Sequence, residues 1–453
     1  MKREAEQRRI KDGLEDPGEN SSIVDEDLVV NNPKTYPQQK CIQPNYLSEN
    51  GKLVAVSTNG TRVPFQIKGI NWFGMETGEQ APFGLWDNEQ NGTSVYAIAD
   101  FLSRNKFNSV RLPLCIQHIL DNNSLTKIGL VNQNSNRAFD LTNYITLLQT
   151  IVKALAYRQI SVLISFHTLT PKEVGGLWYG AGITEDMYLK AMDIITSSLC
   201  SDTYWNVLGI DLKNEPFDGS WGTGDKNDFK AGAELLGGRM LTGCPKWMAF
   251  VEGINGEKNS MIIDGKPMKY NDWYGSGLQR VKQYPVKLPV DGKLVYAPHY
   301  YTSAVYPATY FYDDVVPGPS AVFASYTELS DEKLQVRVDA SMYDMFGYIV
   351  EDKGPAVLFG EFGGLYAKDA HKKLTNQRCI DMTIKTMIKN GYAGGYMWSL
   401  NPESAYLYNP ADTKRVFTEG LLMDDWRTAN TVFLNALKPM DLLPDLKPTP
   451  CFT

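Results

Sequence analysis

Short apolar runs alternate with longer amphipathic segments along most of this chain. Eight of the runs are typical of buried parallel strands, and they cover residues 67–72, 109–112, 161–166, 207–212, 248–252, 294–297, 356–359 and 395–398. Most of the gaps between them exceed 30 residues and carry apolar residues at helical spacing, as residues 144–155 do. Eight such units predict an α/β fold, a single closed (β/α)8 TIM barrel. An open doubly wound sheet is the alternative, but it usually has fewer strands and a glycine-rich phosphate loop, and no such loop follows a strand here.

The segment before the first barrel strand is predicted to contain two different parts. Residues 53–56 and 63–66 flank a turn rich in Ser, Thr, Asn and Gly, and they predict a small N-terminal β-hairpin. Residues 1–38 are polar, charged and poor in aromatics, so we expect a disordered tail before a single barrel domain of residues 39–453. Residues 2–6 resemble the processing site of a yeast secretion leader, with a native pro-segment as the alternative.

Charge and composition argue against several classes of partner. The net charge is −7 and no long Lys/Arg cluster occurs, so we expect no nucleic-acid partner and no binding to an anionic membrane. With only 4 histidines and no Cys-x-x-Cys spacing, we expect no metal and no cofactor. No apolar run reaches the ~18 residues that a transmembrane helix needs, so we expect no transmembrane segment. We also expect a monomer.

The 6 cysteines and four Asn-x-Ser/Thr sequons favour a secreted protein. Cys200 and Cys244 would end the helices after strands 3 and 4, near the lower rim of the barrel, which predicts a disulfide between them. Cys41 and Cys451 flank the folded part and could join its ends, while reduced buried cysteines are the alternative. The sequons begin at Asn20, Asn59, Asn91 and Asn122, and we expect an extracellular glycoprotein.

Polar and aromatic residues end these otherwise apolar strands. A single buried arginine or histidine is usually a satisfied structural partner, but such a residue at the same level on every strand is difficult to explain by packing. In a (β/α)8 barrel, active residues gather at the carboxyl ends of the strands. We therefore predict that the active site is formed by Trp72, Arg111, His167, Asn214, Glu215, Glu252, His299, Tyr301, Glu361 and Trp398.

Two of these residues are glutamates in similar local sequences. Glu215 follows an apolar run and precedes Pro216, and Glu361 follows a second apolar run and precedes Phe-Gly-Gly. Hydrolysis of a glycosidic bond needs one carboxyl group to protonate the leaving oxygen and a second to attack the anomeric carbon or activate water. The pair therefore predicts glycosidase chemistry.

Several motifs in a fixed order extend this prediction. They are Gly-Ile-Asn-Trp-Phe-Gly-Met-Glu-Thr at 69–77 with Gly-Leu-Trp at 84–86, Val-Arg-Leu-Pro at 110–113, Asn-Glu-Pro at 214–216, Phe-Val-Glu-Gly at 250–253, His-x-Tyr at 299–301, Gly-Glu-Phe-Gly at 360–363, Trp-Ser-Leu-Asn-Pro at 398–402 and Gly-x-x-x-Asp-Asp-Trp at 420–426. Through them the chain resembles glycoside hydrolase family 5 of clan A, and within it the bacterial-type endo-β-1,4-glucanase (cellulase) subfamily. One position departs: many relatives have Asp two residues before the histidine of strand 3, where this chain has Ser165.

The resemblance implies a retaining reaction at the two glutamates. Glu215 would be the general acid and base, with a pKa raised by partial desolvation near a second carboxylate. Glu361 would be the nucleophile and must stay ionised. Arg111 is the positive group that could lower its pKa, and Tyr301 could donate a hydrogen bond to it.

The resemblance also implies residues that bind the sugar. Asn214 would hydrogen-bond the 2-hydroxyl group, and His167 and His299 would bind hydroxyl groups or orient the acid and base. Trp398 would form the aromatic floor at the cleavage point, with Trp72 close by.

Further aromatics in the loops are candidates for additional subsites. These are Trp178 with Tyr179, Trp221 and Trp273, and the alternative is that large loop aromatics cap the barrel. Glu252 resembles a supporting residue rather than a catalyst.

The function that the resemblance implies is a secreted retaining endo-β-1,4-glucanase. Its substrate would be cellulose or a mixed-linkage β-glucan, as polysaccharide or oligosaccharide. Relatives that act on β-1,3-glucan, β-mannan or a glycolipid are the alternatives.

A carbohydrate-binding protein without catalysis is a further alternative, but binding alone does not need a paired acid and nucleophile. A sugar-phosphate isomerase should show a phosphate-binding turn after strand 7 or 8, where this chain has only one Gly-Gly pair.

Overall fold

Eight parallel strands form the closed (β/α)8 barrel that the sequence predicts. The computed structural model describes residues 22–125, 127, 129–256, 259–263, 265–411 and 413–453. Barrel strands 1 to 8 are Ile67–Asn71, Ser109–Cys115, Ser161–Thr168, Val207–Asp211, Met248–Val251, Leu294–Tyr296 with His299–Tyr301, Ala356–Val357 with Phe359–Gly363, and Gly394–Trp398.

Strands 6 and 7 are each divided into a lower and an upper segment. The lower segments pair with each other and join strand 5, while the upper segments pair with each other and join strand 8. Strand 8 in turn pairs with strand 1, so the hydrogen-bonded sheet closes on itself. The division places the upper segments, and the residues they carry, at the carboxyl end of the barrel.

Helices surround the barrel. They are Val95–Arg104, Ile116–Asp121, Tyr144–Tyr157, Glu185–Leu199, Phe229–Gly243, Asp331–Met345, Thr375–Asn390 and Thr431–Ala436. Short 3-10 helices are Asp202–Tyr204, Thr309–Phe311, Pro319–Ala321, Gly347–Asp352 and Lys438–Leu442. The helix predicted over residues 144–155 begins at Tyr144, because Asn143 and Thr146 exchange side-chain and backbone hydrogen bonds in a capping box.

A three-stranded antiparallel sheet closes the lower end of the barrel. Its strands are Asn45–Glu49, Lys52–Val56 and Arg62–Phe65. The predicted hairpin is present, and the first strand joins it as an element that the apolar pattern did not reveal. The sheet packs against the apolar lower interior of the barrel, and this cluster includes Tyr46, Leu53, Phe65, Leu163, Leu208, Phe250 and Tyr396. The lower end of the barrel is therefore apolar, and the polar side chains lie at the carboxyl end.

Among the described residues, three hairpins lie in the loops that follow strands 5, 6 and 8. They are Asn259–Ile263 with Lys266–Tyr270, Tyr312–Pro317 with Phe323–Glu328, and Ala405–Tyr408 with Lys414–Thr418. Loops after barrel strands lie at the carboxyl end, where active sites are built. The third hairpin contacts the barrel directly, since the Tyr406 hydroxyl donates to the Trp398 carbonyl at 3.0 Å.

Both cysteine pairs suggested by the sequence form disulfides. Cys200 joins Cys244 at the ends of the helices after strands 3 and 4, and Cys41 joins Cys451. The thiols of Cys115 and Cys379 are buried. The first bond links neighbouring helices, and the second joins the two ends of the barrel domain.

The N-terminal segment from residue 22 lies against the barrel. Arg137 pairs with Asp25 at 2.9 Å and Asp27 at 2.8 Å, and the Asn32 amide donates to the Asn134 carbonyl at 2.6 Å. Composition does not reveal these contacts, and the tail of residues 1–38 as a disordered unit stays a prediction. Residues 1–21, with the leader-like site and Asn20, lie outside the described residues. In the described part of the chain, every helix is too short or too polar to cross a membrane.

Candidate active site

The predicted site residues meet at the carboxyl ends of the barrel strands. Strands 2 and 3 run beyond their predicted ends, to Cys115 and Thr168, so Arg111 lies inside its strand rather than at its end. The upper segments of strands 6 and 7 pair His299 with Glu361. The residues that come together in this way are Arg111, His167, Asn214, Glu215, Glu252, His299, Tyr301, Glu361 and Trp398.

The carboxyl groups of Glu215 and Glu361 face each other. A carboxylate oxygen of each lies within 4.8 Å of the other and of a ring nitrogen of His299. The Glu361 side chain is 5% exposed and that of Glu215 is 22% exposed. The carboxyl group of Glu361 is therefore held inside the barrel, and that of Glu215 is partly exposed to solvent.

Two side chains donate hydrogen bonds to Glu361. Nη1 of Arg111 donates to Oε1 at 2.6 Å, and the Tyr301 hydroxyl donates to Oε2. Burial raises the pKa of the Glu361 carboxyl above its usual value, and the charges of His299 and Arg111 oppose this rise. Arg111 acts in the predicted direction, but burial has the larger effect.

Arg111 is completely buried and connects several strands. Its Nε and Nη2 donate to Oδ2 of Asp211 at 3.0 and 2.7 Å. Its Nη1 donates to Oδ1 of Asn71, and its Nη2 to Oδ1 of Asn214, both at 2.9 Å. Asn71 and Asp211 are absent from the predicted site. Each is a polar residue inside an otherwise apolar strand, and this is the sequence signal that could have indicated them. A buried polar group needs a hydrogen-bond partner.

The main chain and the side chain of Glu215 are both held. Its φ of 45° is left-handed, which is uncommon for a residue other than glycine. Its backbone amide donates to Oε2 of Glu252 at 2.8 Å. Its Oε1 lies 3.0 Å from Nδ1 of His299. The carboxyl group of Glu215 is thereby directed toward Glu361.

His299 is buried among three carboxyl groups. Nδ1 lies 3.0 Å from Glu215 and 3.5 Å from Glu361, and Nε2 lies 3.0 Å from Oε1 of Glu252. Burial disfavours a charged ring, but the Glu252 and Glu361 carboxylates outweigh burial and raise the pKa of His299 well above its usual value. This rise favours the protonated, positively charged ring between the two glutamates.

Asn214 and His167 lie beside this carboxylate pair. Oδ1 of Asn214 is bound to Arg111, which leaves its Nδ2 amide to donate to a ligand. Nδ1 of His167 lies 3.5 Å from Oγ of Ser165, the serine that stands where the resemblance suggests an aspartate. Burial and the charge of Arg111 hold the pKa of His167 well below its usual value. His167 is therefore neutral, with one ring nitrogen to donate and one to accept.

Trp398 forms part of a row of stacked rings. Its ring stacks with those of Phe73 and His167, at centroid distances of 5.4 and 5.8 Å. Trp72, which the resemblance places beside it, is fully buried and donates from Nε1 to the Phe83 carbonyl at 3.0 Å. Trp72 therefore supports the site from within the core, and its neighbour Phe73 takes the position in the aromatic row.

The loop tryptophans are also buried. Trp178 is 4% exposed and donates to Glu185 at 2.7 Å, and Trp221 donates to the Tyr284 carbonyl at 2.9 Å. Trp273 is 6% exposed and packs against Tyr301. Neighbouring groups bury all three rings, and the additional subsites suggested at these residues stay a prediction. Trp273 instead supports the tyrosine that binds Glu361.

A stacked aromatic pair that the sequence did not suggest lies beside Glu215. Phe217 and Tyr274 stack at 4.6 Å between centroids with an interplanar angle of 21°. Tyr274 is 46% exposed, and Phe217 is two residues after Glu215. The pair joins the loops after strands 4 and 5. Both residues are ordinary loop aromatics in sequence, and only the fold brings them together.

The carboxyl groups and His299 lie close enough together to hold a metal ion. Within the described part of the chain, two sets have ligand atoms within 4.8 Å of one another: Asp211, Glu252 and His299, and Glu215, His299 and Glu361. Arg111 already donates to Asp211 and Glu361, and the raised pKa of His299 favours a positively charged ring. These positive charges disfavour a cation, so the donor set fits acid and base chemistry better than metal binding.

Comparisons with known proteins agree with this geometry. The family described as Cellulase (glycosyl hydrolase family 5) matches residues 56–404. An endoglucanase of Paenibacillus polymyxa is 27% identical over 390 residues, which cover 85% of this chain and 84% of that protein. The major extracellular endoglucanase of Xanthomonas campestris pv. campestris is 28% identical over 377 residues, which cover 83% of this chain and 67% of that protein.

A solved structure is similar over almost the same length. The complex of an endocellulase from Pyrococcus horikoshii with cellotetraose gives a TM-score of 0.71 at 29% identity, covering 89% of this chain and 100% of that chain. The family match alone spans more than half of the chain and includes Arg111, Glu215 and Glu361. This protein therefore belongs to glycosyl hydrolase family 5, the cellulase family, and is a glycoside hydrolase.

Proposed function

We propose that this enzyme is a secreted endo-β-1,4-glucanase that hydrolyses cellulose or mixed-linkage β-glucan with retention of configuration. The observation that carries the mechanism is the closeness of the two carboxyl groups, since Nδ1 of His299 lies 3.0 Å from an oxygen of Glu215 and 3.5 Å from an oxygen of Glu361. Retaining glycosidases hold these groups ~5–5.5 Å apart, whereas inverting enzymes need ~6.5–9.5 Å to admit a water molecule. The endo mode and the β-1,4-glucan substrate rest on relatives named endoglucanase and endocellulase.

In the first step Glu361 attacks and Glu215 supplies a proton. An oxygen of Glu361 forms a bond to the anomeric carbon while the bond from that carbon to the leaving oxygen breaks. The proton of the Glu215 carboxyl group passes to the leaving oxygen, which departs as a hydroxyl group. Arg111 and Tyr301 hold the attacking carboxylate in place, since both donate to it.

In the second step water releases the sugar. Glu215, now a carboxylate, takes a proton from water while the water oxygen bonds to the anomeric carbon. The bond to Glu361 breaks, and the enzyme returns to its starting state. Two displacements at one carbon give net retention.

Other groups are placed to bind the sugar rings. The free Nδ2 amide of Asn214 would donate to the 2-hydroxyl group, an interaction that strengthens as the transition state develops. Trp398 would lie under the ring whose bond is cut. The Phe217 and Tyr274 pair lies next to the acid, and the acid must face the leaving group. These two rings would therefore bind the leaving-group side of the chain.

A panel of soluble polysaccharides tests this proposal. The purified protein is incubated with carboxymethylcellulose, barley β-glucan, glucomannan, laminarin and xyloglucan, and reducing ends and product lengths are followed. We expect rapid release of mixed oligomers from the β-1,4-glucans. Activity only on laminarin or a mannan would keep the mechanism but change the substrate. Silence on every polymer would direct the search to glycolipids or to a role in carbohydrate binding.

Proton NMR of the first product tests the stereochemistry. A cello-oligosaccharide cut by the enzyme should release the β-anomer before mutarotation produces the α-anomer. Initial release of the α-anomer would mean inversion and would overturn the covalent mechanism.

Secretion, glycosylation and a monomeric state are part of the proposal. Two disulfides are typical of an oxidising compartment. Among the described sequons, Asn91 and Asn122 are half-buried, and they accept hydrogen bonds from Trp86 and from the Ile145 amide. Asn59 accepts from its neighbours Ser57 and Thr61 and is exposed in the turn of the N-terminal sheet. Asn59 is therefore the favoured glycosylation site. Expression in a eukaryotic secretory host should place the enzyme in the medium as a monomer, with a glycan that Asn59→Gln removes.

A further inference from the structure

We propose that Glu252 is a positioning residue for Glu215, acting on its main chain directly and on its carboxyl group through His299. This inference rests on the proposed function, in which Glu215 is the acid and base. Glu252 follows strand 5 and is completely buried. Neither the sequence motif nor burial alone distinguishes a positioning residue from a packing residue. The contacts of its two oxygens make the distinction.

One oxygen of Glu252 holds the main chain of the acid. Oε2 accepts from the backbone amide of Glu215 at 2.8 Å. That residue has a left-handed φ of 45°, which costs energy and persists only where the surroundings hold it. The carboxylate of Glu252 supplies an acceptor at the strained residue itself, so it helps to fix the direction in which the Glu215 side chain leaves the backbone.

The other oxygen lies beside the residue that contacts the acid group. Oε1 lies 3.0 Å from Nε2 of His299, whose opposite nitrogen lies 3.0 Å from the Glu215 carboxylate. Nη2 of Arg111 donates to the same Oε1 at 3.2 Å. The sequence of contacts from Glu252 to the imidazole to the acid is therefore continuous, and the carboxyl group of Glu252 attracts the ring at Nε2.

The neighbouring loop leaves this carboxylate little freedom. A Cβ atom added at Gly275 would lie 2.5 Å from Oε2 of Glu252 and 3.1 Å from the His299 ring. The glycine, with φ +83°, lets the loop backbone pack directly on both side chains. The position of Glu252 is thus set by packing as well as by its hydrogen-bond partners.

The consequence is specific to proton transfer. A misplaced acid weakens protonation of the leaving oxygen, and that protonation matters little when the leaving group departs easily as an anion. A packing defect would instead lower the rate for every leaving group. Phenyl β-cellobioside, whose leaving group needs a proton, and 2,4-dinitrophenyl β-cellobioside, whose leaving group does not, separate the two roles.

The experiment compares kcat/KM for both substrates in the full-length wild-type enzyme and in Glu252→Gln. The glutamine keeps the shape of the side chain but offers only one acceptor oxygen. We expect kcat/KM to fall by about 100-fold for the phenyl substrate and by less than about fivefold for the dinitrophenyl substrate. Equal losses on both substrates, or no loss on either, would overturn the inference.

Asp211→Asn is the matched control. Asp211 is a buried carboxylate that also binds Arg111, and its hydrogen bonds go to that arginine. We expect its loss of activity to be similar for the two substrates.

If Glu252→Gln does not fold, as judged by thermal melting, Glu252→Asp replaces it in the comparison. The aspartate keeps the carboxyl group but places it one methylene group farther from Glu215 and His299.

Glu215→Gln separates failure of this inference from failure of the proposed function. If wild type releases neither phenol, or if Glu215→Gln lacks the leaving-group pattern, the assignment of the acid is wrong. If Glu215→Gln shows the pattern and Glu252→Gln does not, the acid is correctly assigned and only the role of Glu252 is wrong.

Discussion

The hydroxyl group of Tyr301 donates a hydrogen bond to Oε2 of Glu361, on the opposite oxygen from the one that Arg111 binds. The two residues lie on the adjacent upper segments of strands 6 and 7, which pair in parallel. Burial raises the pKa of Glu361, and the tyrosine opposes this rise by stabilising the ionised form. The tyrosine thus helps to keep the proposed nucleophile charged.

Tyr301→Phe should therefore move the pH dependence of the enzyme. Loss of the hydrogen bond removes a group that lowers the pKa of Glu361, so the pKa rises and the acidic limb of kcat/KM shifts to higher pH. A hydrogen bond to a charged group contributes ~1.5–3 kcal/mol, so kcat/KM should also fall about 10- to 100-fold near the optimum. The measurement is kcat/KM against pH on an aryl cellobioside.

Tyr300→Phe is the control for this variant. Tyr300 is the preceding residue, and its hydroxyl is 2.7 Å from Oγ of Ser341 on the helix side of the barrel. Tyr300→Phe also removes a hydroxyl oxygen from a buried tyrosine, but one that does not contact Glu361. Its pH profile should therefore match that of wild type. An unshifted acidic limb in Tyr301→Phe would show that the tyrosine does not influence the ionisation that limits activity.

The two glutamates should differ in how azide restores activity. Glu361→Ala and Glu215→Ala should each lose several powers of ten in turnover on cellulosic substrates, with melting temperatures close to that of wild type. With dinitrophenyl cellobioside and azide, Glu361→Ala should form the α-azide, because azide attacks from the vacated nucleophile side. Glu215→Ala should form the β-azide, because azide then attacks the glycosyl intermediate on Glu361. Swapped products would reverse the assigned roles.

The sequence predicts the barrel well because strand burial leaves a simple signature. Each barrel strand is buried on both faces and therefore reads as a continuous apolar run, and the polar residues that close these runs mark the site. Glu215 and Glu361 are recognisable for this reason. Where a strand is divided, as at residues 297–298 in strand 6, the apolar run alone does not reveal the break.

The aromatic residues show the limit of such reasoning. Trp178 and Trp273 lie in polar loop sequences, yet the folded loops bury both rings. Phe217 and Tyr274 look no different in sequence, yet they stack and leave Tyr274 46% exposed. Burial of a loop side chain depends on contacts with segments distant in sequence, so composition and local pattern cannot assign it.

The stacked pair should affect long substrates more than short ones. Tyr274→Ala removes the exposed ring that would bind a leaving-group sugar. The loss should weaken substrate binding by about 1 kcal/mol and raise KM about fivefold. We expect this increase for cellohexaose and β-glucan, and no change for an aryl cellobioside that lacks sugars on that side. Tyr343→Ala is the control, since Tyr343 is 49% exposed on the outer helix Asp331–Met345. An equal change for both substrate lengths would place the pair outside the leaving-group side.

Lys293, at the lower end of the barrel, should make stability depend on pH. Its Nζ donates to Oδ1 of Asn45 and to the Tyr46 carbonyl, at 2.6 and 2.7 Å, and burial lowers the pKa of its ammonium group to about 7. In the unfolded chain this lysine keeps its proton up to its ordinary pKa of ~10.4. Between pH 7 and pH 9 the unfolded state therefore binds more protons than the folded state, and stability rises with pH.

Comparison with Lys293→Met isolates this contribution. Each pKa unit of difference corresponds to ~1.36 kcal/mol, so the free energy of unfolding of wild type, relative to the variant, should increase by about 1 kcal/mol per pH unit from pH 7 to pH 9. Urea unfolding at several pH values provides the measurement. Lys246→Met is the control, because Lys246 also donates to the N-terminal segment, at the Gln43 carbonyl, but from a more exposed position. A constant or falling difference for Lys293→Met would mean that this lysine stays protonated in the folded barrel.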